Sequence, residues 1–209
     1  MPAYALAIFD FDGTLADSFP WFCSVLDQTT EKFGLRRIDP AEIEGLRDHS
    51  TREVLTTLGV PMLKLPAIAN YMRSLFTDGL ASIPLFPGAA DALASLHGAG
   101  VRLALVSSNA ETNVRGVLGG AAGSFDHFAC GSSLWGKAGK FRSVLKAMQA
   151  TATATISIGD EIRDVDAARE VKLNAGSVTF GYNSRKALVG AKPDHLFDTY
   201  DELVKAVAG

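Results

Sequence analysis

The chain lacks most of what would send a protein to a membrane, a nucleic acid or an oxidising compartment. Only two cysteines occur among its 209 residues, Cys23 and Cys130. They lie far apart and form no C-x-x-C pair, which argues against a metal or redox motif and against a disulfide framework. Positive charge is not in excess, since 20 Lys+Arg against 23 Asp+Glu leaves a formal net charge of -3. The basic face that a nucleic acid or an anionic membrane needs is therefore not expected. No apolar run approaches the ~20 residues of a membrane span. The apolar run at residues 4–9 is too short for a secretory signal and ends in acids. These absences lead us to expect no nucleic-acid partner, no membrane, reduced thiols and, by default, a cytoplasmic location. They say nothing about oligomeric state.

What is present is the composition of an ordinary globular protein, 47% apolar and 21% charged. The length suits one good core, or one core with a small accessory domain. Residues 4–9, Tyr-Ala-Leu-Ala-Ile-Phe, read as a strand buried on both faces. From residue 17 to 84 the pattern turns helical, with stretches at 46–58 and 68–76 broken by Gly59-Val60-Pro61. Beyond Pro84, strands are expected at 101–106, 127–130, 155–158, 175–180 and 195–197, alternating with helices. That alternation implies a parallel sheet with right-handed crossovers. We therefore expect an α/β fold, a Rossmann-like parallel sheet core of residues 1–16 and 85–209, with an inserted helical cap at 17–84.

Ligand sites in open α/β sheets lie beyond the carboxyl ends of the strands. The acids of this chain collect there. Asp10 and Asp12 follow the first strand, in Asp10-Phe11-Asp12-Gly13-Thr14-Leu15. Asp160 and Asp164 follow the strand at 155–158, in Gly159-Asp160-Glu161-Ile162-Arg163-Asp164. The latter two would also suit the positive end of the next helix. Up to four acids at one sheet edge cannot all stay ionised without a counter-charge. Oxygen ligands with retained water are what magnesium favours, so charge balance implies a divalent metal. The strand at 101–106 ends in Ser107-Ser108-Asn109, whose hydroxyls and amides can bind an anion or simply cap a helix. Lys137 and Lys140, in the segment after Cys130, can each supply a balancing cation at the same edge.

In their order and in their positions after strands, these elements resemble the haloacid dehalogenase superfamily in its phosphatase branch, and phosphoglycolate phosphatase-like members in particular. The resemblance is carried by D-x-D-G-T-L at Asp10 to Leu15, by Val106-Ser107, by Lys137 or Lys140, and by G-D-x-x-x-D at Gly159 to Asp164. It implies that Asp10 is the nucleophile taking a phosphoryl group and Asp12 the general acid/base. It implies Mg2+ held by the Asp10 carboxylate, the Asp12 backbone carbonyl and Asp160, with Asp164 holding metal-bound water or orienting the ligands. Ser107, with Ser108 and Asn109 beside it, and the motif lysine would bind the phosphate. Many relatives carry lysine followed by proline, whereas here two lysines compete. Lys137 is preferred because it precedes the helix and stands further upstream of Asp160.

The resemblance implies a phosphatase acting on a small phosphorylated metabolite. A phosphomutase of the same superfamily uses the same two acids. A 2-haloacid dehalogenase usually lacks the second acid, and a receiver-like phosphorylated binding module lacks the helical insert. Within the insert, Arg47-Asp48-His49-Ser50-Thr51-Arg52 combines cations and hydroxyls beside a helix start. Arg47 is the candidate for substrate choice, because its planar fork can bind a carboxylate or a second phosphate.

Overall fold

The computed structural model describes residues 2–131 and 136–209. The segment 132–135, which links the third strand to Lys137, lies outside them. Six strands form one sheet in the order β3-β2-β1-β4-β5-β6. They are β1 Leu6–Phe9, β2 Arg102–Val106, β3 His127–Ala129, β4 Thr155–Gly159, β5 Asn174–Val178 and β6 His195–Phe197. Every pairing is parallel. β1 sits between β2 and β4, so the acids that follow β1 and β4 emerge side by side at the carboxyl edge.

Alternation along the central strand assigns its side chains to two layers. Ala7 and Phe9 join Leu103, Leu105, Ile156 and Ile158 on one face. That face is covered by α5 (Ala89–Gly98) and α10 (Tyr200–Ala208) through Leu93, Leu203 and Val207. Leu6 and Ile8 join Ala104 and Val106 on the other face. It is covered by α7 (Lys137–Ala147) and α8 (Ile162–Glu170) through Phe141, Val144, Val165 and Ala168. Two covered faces explain why these strands read as apolar runs.

Between β1 and α5 the described chain is helical: α1 Phe19–Phe33, α2 Pro40–Leu46, α3 Thr51–Thr57 and α4 Leu65–Asp78, with short 3-10 turns after α3 and α4. The chain enters and leaves this segment through paired strands of backbone. Asp17 N–H donates to the Pro84 carbonyl at 2.9 Å, and Phe86 N–H to the Leu15 carbonyl at 2.9 Å. No helix among the described residues is long and apolar enough to cross a membrane.

The helix expected at 46–58 starts later, as α3 at Thr51–Thr57, and a separate helix, α2, precedes it at Pro40–Leu46. Asp39 caps α2 in a capping box with Glu42, and Ser50 caps α3 in a second box with Glu53. A second start signal inside an apolar period ends one helix and begins another. The intervening residues 47–50 leave the helical path and reach the core.

Candidate active site

β1 ends at Phe9, and the Asp10 N–H still donates to the Ile158 carbonyl at 2.8 Å, which ties the first acid to β4. The chain then turns through Gly13 at φ 72°, a left-handed conformation natural to glycine. A Cβ there would overlap the Asp160 carboxylate and the Tyr182 ring. The tight turn therefore brings the two acid-bearing edges together. Oxygens of Asp10, Asp160 and Asp164 all lie within 4.8 Å of one another, and all three residues are buried.

Each carboxylate has defined partners. The Lys137 ammonium, at the first residue of α7, lies 2.6 Å from Asp10 Oδ2 and 2.5 Å from Asp164 Oδ1. Asp164 Oδ2 accepts from the backbone N–H groups of Asp160 at 3.1 Å and Glu161 at 3.0 Å. Asp160 accepts from the Thr14 hydroxyl at 2.8 Å and from the Tyr182 N–H at 2.7 Å. Arg163 pairs with Glu161 at the rim.

The electrostatics separate these acids. Burial opposes ionisation of Asp164, but Lys137, Arg163 and the backbone donors outweigh it and hold its carboxyl below the usual range. Burial, together with the charges of Glu161, Asp164 and Asp10, pushes Asp160 up. Asp10 is also raised by burial, against the pull of Lys137. Burial and the neighbouring Asp10 charge push Asp12 to about 7, with Ser18, Arg163 and Asn109 acting the other way. Burial opposes the charge on Lys137, yet Asp10 and Asp164 hold it protonated.

The donor set fits a hard divalent cation. Three buried carboxylates converge, and burial and mutual repulsion push two of them toward the neutral form. A bound cation of charge two is the species that lets all of them ionise. Oxygen-only donors suit magnesium rather than a thiolate-seeking metal.

At the end of β2, Ser107 is buried and its Oγ accepts from the Asn109 N–H at 2.9 Å. The hydroxyl hydrogen of Ser107 is not used by that bond. The Asn109 side-chain carbonyl accepts from the Ala110 N–H at 2.9 Å and from the Asn113 amide at 3.0 Å, at the start of α6 (Glu111–Leu118). This anchors its own amide group on the side of Asp12. Ser108, Asn109 and Asp12 all border the cavity that lies under the helical segment.

The two lysines are distinguished by what they touch. Lys137 meets the carboxylates, whereas the Lys140 ammonium donates to the Ser107 carbonyl at 3.2 Å and to the Ala129 carbonyl. Lys140 therefore straps the ends of β2 and β3.

Arg47 departs from the expectation that its fork faces a substrate acid. Its Nε donates to the Tyr182 carbonyl at 3.1 Å and its Nη2 to the Gly181 carbonyl at 3.0 Å. Its Nη1 pairs with the Glu44 carboxylate at 3.0 Å. The fork is taken up in docking the 47–50 linker on the loop after β5, because unpaired backbone carbonyls there need donors. Asn183 completes this contact by donating to the carbonyls of Arg47 and His49, both at 2.8 Å.

Sequence reasoning missed Thr14, Ser18, Tyr182 and Asn183. Thr14 stands inside the first acidic motif. Tyr182 and Asn183 follow a parallel strand, where the rule about carboxyl ends would have found them. Ser18, whose hydroxyl lies 3.1 Å from that of Tyr182, carried no signal of its own.

The profile of the haloacid dehalogenase-like hydrolases matches residues 7–178, from β1 to the end of β5. The chain belongs to that family. It is 34% identical over 202 residues to a phosphoglycolate phosphatase of Synechococcus elongatus, covering 96% of this chain and 95% of that one. A phosphoglycolate phosphatase of Vibrio cholerae is 27% identical over 222 residues, covering 99% of this chain and 98% of the relative. The fold is also that of a haloacid dehalogenase-like family hydrolase from Streptococcus pneumoniae, with a TM-score of 0.79 at 22% identity, covering 97% and 98% of the two chains. CbbY from Rhodobacter sphaeroides, solved in complex with phosphate, matches with a TM-score of 0.73 at 22% identity, covering 96% of each chain. This member of the haloacid dehalogenase-like hydrolases is thus a phosphoglycolate phosphatase-like phosphatase.

Proposed function

We propose that the chain hydrolyses small-molecule phosphate monoesters with Mg2+, through an aspartyl-phosphate on Asp10, and that it acts in the cytoplasm with its thiols reduced. The observation that carries the chemistry is the contrast between two acids one residue apart. Asp10 is held by an ammonium at 2.6 Å, whereas Asp12 has no cation within ion-pair distance among the described residues and is poised near neutrality. One carboxylate suited to attack, beside another suited to move a proton, is what a two-step phosphoryl transfer requires.

Asp10, the Asp12 backbone carbonyl and Asp160 would hold Mg2+, with Asp164 orienting them. When bound, the ion supplies charge neutralisation to the phosphoryl oxygens and the attacking carboxylate. An Asp10 carboxylate oxygen forms a bond to phosphorus as the ester P–O bond breaks. The Asp12 carboxyl gives its proton to the departing oxygen. The Asp12 carboxylate then takes a proton from water, whose oxygen attacks phosphorus and releases phosphate and free Asp10. Lys137 and the Ser107 hydroxyl bind the transferring group, while Ser108 and the Asn109 amide border it. We assign residues 17–84 as a cap that excludes bulk water during transfer.

The test is phosphate release from p-nitrophenyl phosphate and 2-phosphoglycolate. Turnover should need Mg2+ and vanish in excess chelator. Asp12→Asn should keep the fold and lower kcat by about 10²-fold or more, the scale of a lost general acid/base. Full activity with chelator, or normal kcat in Asp12→Asn, would contradict the assignment.

A further inference from the structure

The helical segment and the catalytic edge together line a cavity of about 370 Å3. Asp12, Ser108, Asn109 and Arg163 form its mouth. Its body is lined mainly by apolar side chains of α1, α3 and α4, among them Phe22, Leu26, Leu55, Ile68 and Met72.

Several polar side chains along this wall are already engaged. The Thr29 hydroxyl donates to the Val25 carbonyl at 2.7 Å, and the Thr30 hydroxyl to the Asp27 carbonyl at 2.9 Å. Arg36 pairs with Glu42 at 3.0 Å, Arg73 with Asn70, and Arg47 with Glu44 and two core carbonyls. At the mouth, Arg163 keeps a buried donor without a partner among the described residues. Its Nη2 is paired with Glu161, but its buried Nε has no partner. The space between α1, α3 and α4 is thus lined mainly by apolar groups.

Binding sites of ~300–1,000 Å3 are lined mostly by apolar groups, with a few polar ones that fix orientation. We propose that this cavity is the leaving-group subsite and that the preferred substrates are phosphate monoesters of apolar alcohols. The proposal rests on the phosphatase reading above and names the substrate class of that site. The phosphoryl group would lie at Asp10 and Lys137, and the first polar atoms of the alcohol beside Asp12 and Arg163. The hydrocarbon body would fill the space between α1, α3 and α4. A short hydroxy acid gains nothing from that space. Its carboxylate would reach the Arg163 donor at the mouth and leave the apolar depth unfilled.

The experiment is a homologous series of n-alkyl phosphates, ethyl, butyl and hexyl, measured with 2-phosphoglycolate. Leaving-group basicity is nearly constant along the alkyl series, so chain length isolates burial. We expect kcat/KM to rise about threefold per added methylene, the scale of apolar transfer. Hexyl phosphate should exceed 2-phosphoglycolate by at least about tenfold. Ala69→Phe on α4, which fills part of the cavity, should cut the hexyl-to-ethyl ratio at least about fivefold. A second readout without turnover is calorimetric binding of hexylphosphonate, expected at least about tenfold tighter than methylphosphonate. Flat kcat/KM along the series with equal phosphonate affinities, or a tenfold preference for 2-phosphoglycolate, would overturn the cavity assignment alone. Release of phosphate from none of these esters or from p-nitrophenyl phosphate would overturn the phosphatase reading itself.

Discussion

Lys137 and Lys140 lie on the same helix, one turn apart, and their surroundings give them different tasks. Lys137 lies between two buried carboxylates, and Lys140 caps two strand-end carbonyls. Lys137→Ala should therefore lower kcat/KM on p-nitrophenyl phosphate by about 10²–10³-fold, the loss typical of a removed charge-stabilising group. Lys140→Ala should leave chemistry nearly intact and cost about 1–3 kcal/mol in urea unfolding, since two carbonyls lose a charged donor. The reverse ranking would transfer the phosphate-binding role to Lys140. The sequence supports the order Lys137 before Lys140 only through spacing. The deciding fact, which ammonium reaches Asp10, depends on where α7 starts. Arg47 shows the opposite case. Its chemistry suits a substrate acid, yet the demand of the carbonyls at Gly181 and Tyr182 is met first, and no local pattern announces that demand.

At the scale of elements, the sheet was legible and the helical segment less so. Strands buried on both faces announce themselves as apolar runs, and each acid motif is placed by the end of one. The helices at 40–57 required the capping boxes at Asp39 and Ser50 to be weighed against a continuous apolar period. The linker they create docks on the loop after β5 through Asn183. That side chain donates to the carbonyls of Arg47 and His49 and accepts from the Ile162 N–H at 2.8 Å. Asn183→Ala should leave the His49 carbonyl and the Ile162 N–H without partners, with the Arg47 carbonyl keeping the Ser184 N–H, and destabilise the protein by about 2–4 kcal/mol. Thermal unfolding measures this. A loss under ~0.5 kcal/mol would mean that water replaces the amide and that this contact does not hold the linker.

At the scale of the molecule, one fact organises the rest. A six-stranded parallel sheet delivers Asp10, Asp12, Asp160 and Asp164 to one edge, where two cations, Lys137 and Arg163, offset only part of their charge. The remaining negative charge should make the protein bind Mg2+ in the absence of substrate. Mg2+ should then raise the melting temperature, by mass action on the folded state. Asp160→Asn should abolish that rise, and an unchanged melting temperature in the parent chain at millimolar Mg2+ would count against the proposed metal site. The central claim is nonetheless covalent, and it is read most directly by quenching a turning-over sample in acid. With a radiolabelled phosphate monoester and Mg2+, label should be trapped on the protein as an acyl phosphate, released by hydroxylamine and mapped to the peptide containing Asp10. Asp10→Asn should show neither label nor turnover. Full turnover with no trapped acyl phosphate at any quench time, or label mapped to another residue, would contradict the mechanism.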